Sequence, residues 1–220
     1  MNKHKRLSLR ELAPIIADYQ RVFPHWQKVG KDTLCRVEDP IAQCLWLDRL
    51  RTGEYRPTFS LQILTAPSAT GSAELCQLLP SRVRSLTPAA HKRLFEEVIA
   101  AIKHDIFPPV DKALDPYEIF TQYEKIAVPK GYEAYTLATL AAYLGQHEKC
   151  VFWKQRFEAL LAQLGGPRDE HDQRAQSFLE QLVAWLSSGC TKDQLDAVVK
   201  QEKIRRGLWK REVRTDDMRR

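Results

Sequence analysis

The stretch that decides the fold is Ile41–Leu64, IAQCLWLDRLRTGEYRPTFSLQIL, in which two apolar runs flank a short polar break. Apolar and polar residues alternate from Phe59 to Ile63, which is typical of a strand with one buried face. Thr52-Gly53 lies in the break and predicts a hairpin turn. Pro57 lacks a backbone donor, so we expect it near the start of its strand or on an edge. The stretch therefore predicts two antiparallel strands.

On the amino-terminal side, the sequence predicts a helix followed by another strand. Ser8 and Glu11 have the spacing of a capping box, and apolar residues follow at helical intervals, so a first helix should end before Pro24. The short β-rich run TLCRV, residues 33–37, precedes a turn at Asp39-Pro40. We therefore expect a sheet of about three or more strands.

On the carboxy-terminal side, the sequence predicts a loop and then helices. TAPSATGSA, residues 65–73, indicates a mobile loop, and the chain after it is expected to be helical. Capping residues, prolines and glycines place six helices, which begin near Thr87-Pro88, Asp115-Pro116, Tyr132, Glu148, Asp169 and the Thr191–Gln194 capping box. The segment around Gly145 indicates an antiparallel helical hairpin. It resembles half of a tetratricopeptide-type unit, but only one copy is visible, which favours an ordinary hairpin.

The predicted fold class is α+β. Residues 1–110 should form a small antiparallel sheet flanked by helices, and residues 111–205 a helical bundle or hairpin array. Residues 206–220 form a basic tail, for which disorder is one alternative.

The composition indicates a soluble globular chain, with 44% hydrophobic residues in 220. No apolar run is long enough for a membrane helix, and the first residues lack a signal-peptide core, so we expect a cytoplasmic protein with no membrane partner. The five cysteines are widely spread without a C-x-x-C pair. This argues against a disulfide framework and a zinc ribbon, and each cysteine is expected to be a buried apolar residue.

No motif in the sequence indicates catalysis. The chain lacks G-x-S-x-G, a P-loop, G-x-G-x-x-G and a zinc-protease helix. RDEHDQR, residues 168–174, is the densest group of metal-binding side chains. The helix dipole already favours acids at a helix start, and consecutive residues fan outward from a helix. We therefore predict no catalytic, cofactor or metal residue and no enzyme activity, although an enzyme site assembled from scattered residues is left open.

The charge is uneven along the chain. The net charge of +6 comes from basic ends, because residues 1–10 carry +4 and residues 200–220 carry +5, which leaves −3 on residues 11–199. Residues 111–199 alone carry −4. The helical half is therefore the acidic part of the chain.

The order of parts resembles bacterial immunity proteins of polymorphic-toxin systems. Such chains join a sheet-bearing first half to a helical second half, as CLWLDRLRTGEYRPTFSLQIL and AYTLATLAAYLGQHEKCVFWKQRF do here. The resemblance covers most of the chain, but it offers no motif from which site residues could be transferred. It implies a cytoplasmic, non-enzymatic protein that binds and occludes one cognate toxin.

Two groups of residues are candidates for contact with a partner. The first surrounds the hairpin turn and contains Trp46, Arg49, Arg51, Tyr55 and Arg56. The second would face a basic partner such as a nuclease-like toxin, and contains Asp115, Glu118, Glu124, Asp169, Glu170 and Asp172. The alternative function is a nucleic-acid-binding accessory protein that uses the basic termini, chiefly Lys200 to Arg220 with Trp209. The sequence does not indicate the oligomeric state.

Overall fold

The structure is a computed structural model that describes residues 5–67, 74–78, 85–125 and 132–208. Of residues 74–78 only the backbone is described. These ranges contain seven helices: α1 Leu9–Val22, α2 Pro88–Asp105, α3 Pro116–Lys125, α4 Tyr132–Tyr143, α5 His147–Gln163, α6 Glu170–Ser188 and α7 Thr191–Arg205. They also contain five strands: β1 Gln27–Val29, β2 Thr33–Glu38, β3 Ile41–Arg49, β4 Tyr55–Ile63 and β5 Glu74–Leu78.

Most of the helices begin at the predicted capping residues. Ser8 and Glu11 form the reciprocal capping box of α1. The Thr87 hydroxyl accepts from the Ala90 amide at the start of α2. The second predicted capping box is wrong, because α7 is preceded by Cys190 without a side-chain cap and the Thr191 side chain is buried.

The sheet is antiparallel throughout, in the order β1-β2-β3-β4-β5. The predicted β3–β4 hairpin is confirmed, and so is the α+β fold class. The prediction that the chain is helical after residue 73 is wrong at β5, and residues 68–73 of the predicted loop lie outside the described residues. β1 was not predicted either, because three residues are too few to show a period.

Pro57 occupies the position expected for a proline inside a sheet. It lies opposite Leu47 of β3, and the pairing of β4 with β5 begins one residue later, at Thr58. Its missing amide therefore costs no hydrogen bond to β5.

The core lies on both faces of the sheet. One face packs against α1 and α2 through Leu34, Leu45 and Phe59. Farther along, the same face packs against the helices of the second half through Ile41, Leu61 and Ile63. The other face packs against the end of the chain, where Val199 and Leu208 contact Cys35, Ala42, Cys44 and Leu64. The sheet and the helical half thus share a core across residue 110.

The expectation that every cysteine is unpaired is wrong. Cys35 of β2 and Cys44 of β3 form a disulfide, with their Cα atoms 4.2 Å apart. They are directly opposite in the β2–β3 register, where neighbouring strands bring side chains closest. The sequence spacing of nine residues gave no sign of this pairing, because it depends on the strand register.

No helix in the described ranges is both long enough and apolar enough to span a membrane.

Candidate functional site

A groove of about 960 Å³ runs along the outer edge of β2. Its floor is β2 from Cys35 to Glu38, together with Asp39 in the turn that follows. One wall is the turn between α1 and β1, residues 22–27. The remaining lining comes from Lys103 at the end of α2, the segment 110–113, Lys203 and Leu208. We call this the edge groove.

The groove exists because β1 covers only half of β2. β1 pairs with residues 33–35 of β2, and its first residue, Gln27, lies opposite Cys35. The chain before Gln27 forms a turn, in which the Trp26 amide donates to the Phe23 carbonyl over 3.0 Å. No described strand therefore covers the second half of β2.

The register shows which backbone groups face the open edge. The Leu47 amide donates to the Asp32 carbonyl, so hydrogen-bonded pairs between β2 and β3 recur at every second residue from there. The backbone groups of Arg36 and Glu38 are therefore hydrogen-bonded to β3, whereas those of Cys35 and Val37 point away from β3. The amide and carbonyl of Val37 consequently point away from β3 and toward the edge groove.

The wall formed by residues 110–113 is fixed to the sheet by hydrogen bonds. The Arg36 guanidinium donates to the carbonyls of Pro109, over 2.8 Å, and of Lys112. The side-chain amide of Gln43 donates to the Pro108 carbonyl, and the Glu38 carboxylate accepts from the backbone amide of Leu114. This segment has no regular secondary structure of its own, so the sheet positions it.

Residues 203–208 form the opposite wall of the groove. Lys203 pairs with Asp39 over 2.8 Å, and the Gln27 side chain donates to the Leu208 carbonyl over 2.8 Å. Arg205 and Arg206 both pair with the buried carboxylate of Glu202. The segment 206–208 of the predicted basic tail is thus packed against the sheet, whereas Trp209 to Arg220 lie outside the described residues.

The charged side chains of the groove are not fully matched. The lining holds four bases, Arg36, Lys103, Lys112 and Lys203, and three acids, Glu38, Asp39 and Asp111. Asp39 pairs with Lys203, and Arg36 lies 3.8 Å from Glu38 and is also attracted by Asp111. In the described part of the chain, Lys103 and Lys112 are exposed and form no salt bridge. The groove therefore has two ammonium groups available to a ligand.

Three comparisons with known proteins gave no match: no family model, no curated protein sequence and no solved structure is similar to this chain. The geometry of the site therefore carries the functional argument.

The hairpin turn lies at the opposite end of the sheet, roughly 25 Å from Val37 by strand rise, whereas the predicted residue Trp46 lies nearer, opposite Thr33 of β2. Arg56 pairs with Asp48 directly across the hairpin, over 2.9 Å. Arg49 donates to the Leu7 carbonyl, and Trp46 is half-buried. Arg51 is exposed. Several of these side chains therefore hold the hairpin end together.

The expectation that Tyr55 is exposed is wrong. Its side chain is fully buried, and its hydroxyl lies 2.6 Å from His91 Nδ1, while His91 Nε2 lies 3.0 Å from Asp18. This Asp-His-Tyr chain has the order of a catalytic relay, but burial raises the pKa of the Tyr55 hydroxyl and leaves it no access to a substrate. The chain of hydrogen bonds fixes α1 and α2 on the sheet.

The predicted acidic group is divided between two helices. Asp115, Glu118 and Glu124 lie at or on α3, and Asp169, Glu170 and Asp172 lie at the start of α6. The expectation that Asp172 is exposed is wrong, because it is buried, pairs with Arg168 over 3.0 Å and accepts from the Tyr132 hydroxyl over 2.7 Å. Arg168 holds the pKa of the Asp172 carboxyl down at about 2.

The other acids are exposed or paired within the helical half. Asp169 caps α6, Glu170 pairs with Arg174, and Glu124 pairs with Lys149. Asp115 accepts from the Tyr117 amide, and both Asp115 and Glu118 are exposed. The acidic group therefore does not form one concave site.

The described residues contain no cluster of metal-binding side chains, and the buried free cysteine, Cys150, has a thiol of low reactivity. Within residues 5–67, 85–125 and 132–208, no three His, Cys, Asp or Glu side chains lie close enough to hold a metal ion together. Cys150 is buried, and burial raises the pKa of its thiol to about 11. A thiol with that pKa is almost entirely protonated at neutral pH.

The residues of the edge groove were missed by the sequence reasoning. Val37, Lys103 and Lys112 belong to no motif, and the groove depends on the short length of β1. The only available signal was the Asp39-Pro40 turn, which marks where β2 ends.

Proposed function

We propose that this protein is a non-enzymatic binding protein that holds a cognate protein partner in the edge groove. The observation that supports this proposal is the open second half of β2, which is flanked by three walls and by two lysines without a salt bridge in the described residues. A sheet edge with free backbone groups is a common template for another chain. The walls leave room for a narrow segment and give it side chains to contact.

The immunity-protein resemblance agrees with this proposal. An immunity protein acts by occupying a surface of its toxin, for which a rigid binding groove on a packed scaffold is sufficient. The groove is rigid because the disulfide, the Arg36 hydrogen bonds and the Lys203–Asp39 pair fix its floor and walls. We therefore propose a bacterial toxin as the partner.

The compartment is a separate proposal. A cytoplasmic location follows from the immunity function, but a disulfide is more common in oxidising compartments. A disulfide that forms only after cell lysis would fit the cytoplasmic location.

Capture of the partner tests the proposed function. Purified full-length protein is used as bait in extracts of its native cells, beside Ala113→Trp, which fills the groove from an exposed position, and the matched control Ala162→Trp on the exposed side of α5. We expect one protein to be captured by the wild type and by the control, but not by Ala113→Trp. The captured protein should arrest growth when expressed alone and not when co-expressed with this chain.

Two results would contradict the proposal. A partner captured equally well by Ala113→Trp would place the interface outside the groove. Recovery of nucleic acid that is lost as salt is raised would favour the alternative, a nucleic-acid-binding protein.

A further inference from the structure

We infer that the partner enters the edge groove as an added β-strand, antiparallel to β2, with an apolar residue opposite Val37 and an acidic residue opposite Arg36. This inference rests on the proposed function and specifies how the partner is recognised. The occupant is an extended segment of another protein, which continues the line of β1 along the uncovered half of β2.

The backbone of the edge defines the register of this strand. β1 forms hydrogen-bonded pairs with β2 at Gln27–Cys35 and Val29–Thr33, since those β2 residues face away from β3. The next position in the same series is Val37. One residue of the partner would therefore both donate to the Val37 carbonyl and accept from the Val37 amide, as in any hydrogen-bonded antiparallel pair.

The alternation of side chains defines the pattern of the strand. Directly opposite residues point to the same face, so the residue paired with Val37 points to the face that Leu208 covers. That position calls for an apolar side chain. Its two neighbours point to the face of Arg36, where the segment 110–113 and the end of α2 lie.

The charges on that second face favour an acidic residue in the partner strand. Three bases, Arg36, Lys103 and Lys112, and two acids, Glu38 and Asp111, lie on this side. Arg36 is attracted by both acids, whereas Lys103 and Lys112 form no salt bridge in the described part of the chain. A carboxylate beside these two lysines gains from both, and the half-enclosed groove screens the attraction less than open solvent does. We therefore expect the acidic residue opposite Arg36, because a second acid opposite Glu38 would face a like charge.

Synthetic peptides test this inference with the full-length protein. The Glu-Val peptide is a fluorescein-labelled heptapeptide, Ser-Ser-Ser-Val-Glu-Ser-Ser, and the Lys-Val peptide has Lys in place of Glu. Their binding is compared by fluorescence anisotropy. We expect the Glu-Val peptide to bind at least about tenfold more tightly. Methylation of single backbone nitrogens along the peptide should weaken binding about tenfold at the one nitrogen that faces Val37 and have little effect at its neighbours.

Variants of the protein supply the complementary test. Val37→Pro removes the outward amide without removing a β2–β3 hydrogen bond, and should weaken Glu-Val binding about tenfold. Lys103→Glu with Lys112→Glu should abolish the preference for Glu over Lys. The matched control, Lys31→Glu with Lys92→Glu, makes the same change in net charge at exposed positions outside the groove and should leave binding unchanged.

Several outcomes would overturn the inference. Absence of binding at millimolar peptide, equal effects of methylation at every position, or equal affinity for the Lys-Val peptide would each exclude this strand. A dimer of the full chain that Val37→Pro converts to monomers would place a second copy in the groove. If the captured toxin is still lost with Ala113→Trp in any of these cases, the proposed function stands and only the mode of recognition fails.

Discussion

Both ends of the sheet carry charged residues, but the two ends differ in whether these residues have partners within the chain. At the hairpin end, Arg49 and Arg56 satisfy a carbonyl and a carboxylate of the same chain. At the groove end, Lys103 and Lys112 have no ionic partner in the described residues, and the edge of β2 is uncovered. Charge alone does not mark a contact surface, because what matters is which charges the fold leaves unmatched.

The largest expected effect concerns the disulfide that joins β2 to β3. Replacing Cys35 and Cys44 by Ala should lower the free energy of unfolding by about 2–3 kcal/mol, since the bond closes a short loop in the unfolded chain. Urea unfolding would measure this, with the exposed Cys190→Ala as the control. A double variant as stable as the wild type would show that backbone pairing alone holds the groove floor.

A second prediction concerns the buried carboxylate of Asp172. Its folded-state pKa of about 2 lies below the ordinary 3.8, so the ionised form stabilises the fold above that ordinary value and the stabilisation is lost as pH falls toward 2. From the size of the shift we expect a loss of about 2 kcal/mol between pH 5 and pH 2.

Urea unfolding at a series of pH values would measure this loss, and Asp172→Asn supplies the reference. The stability of the variant should fall less steeply over the same interval, because it has no carboxylate to protonate. Parallel curves for the two proteins would contradict the assigned role of Asp172.

A third prediction concerns the hairpin end. Arg49→Ala should cost about 1 kcal/mol, because the Leu7 carbonyl loses its donor. Arg51→Ala, at an exposed position in the same turn, should cost less than about 0.5 kcal/mol. Thermal unfolding of both variants would check this, and an equal cost would mean that the carbonyl contact contributes nothing.

The smallest expected effect is that of Arg51→Glu on partner capture. Because the hairpin turn lies at the far end of the sheet from the groove, capture should stay within about twofold of the wild type, as expected for a charge outside an interface. Strong loss of capture would move the interface to the hairpin end and reverse the comparison of the two ends.

Much of the fold could be predicted from local signals in the sequence. Ser8, Thr87 and Asp169 each carry the side chain that caps a helix, and the alternation near Phe59 indicates a strand whichever protein surrounds it. β5 was mistaken for helix because its five residues, ELCQL, are too few to establish the alternation of a strand. Local chemistry therefore predicted the elements that are long or capped.

The exposure of individual residues could not be predicted in the same way. Tyr55 and Asp172 were expected at the surface because their neighbours are polar. The structure buries Tyr55 against His91, which is 36 residues away in sequence, and Asp172 against Tyr132, which is 40 residues away. Such partners are brought together by packing, which leaves no local trace in the sequence.

The sequence by itself determined the class of fold, the positions of most helices and the central hairpin, because caps, turns and hydrophobic periods act between near neighbours. Only the tertiary structure decided that Cys35 meets Cys44, that β1 stops halfway along β2, and that Lys103, Lys112 and Lys203 surround the same edge. The physical reason is that a groove is defined by segments far apart in the chain, and by the backbone groups that those segments leave uncovered.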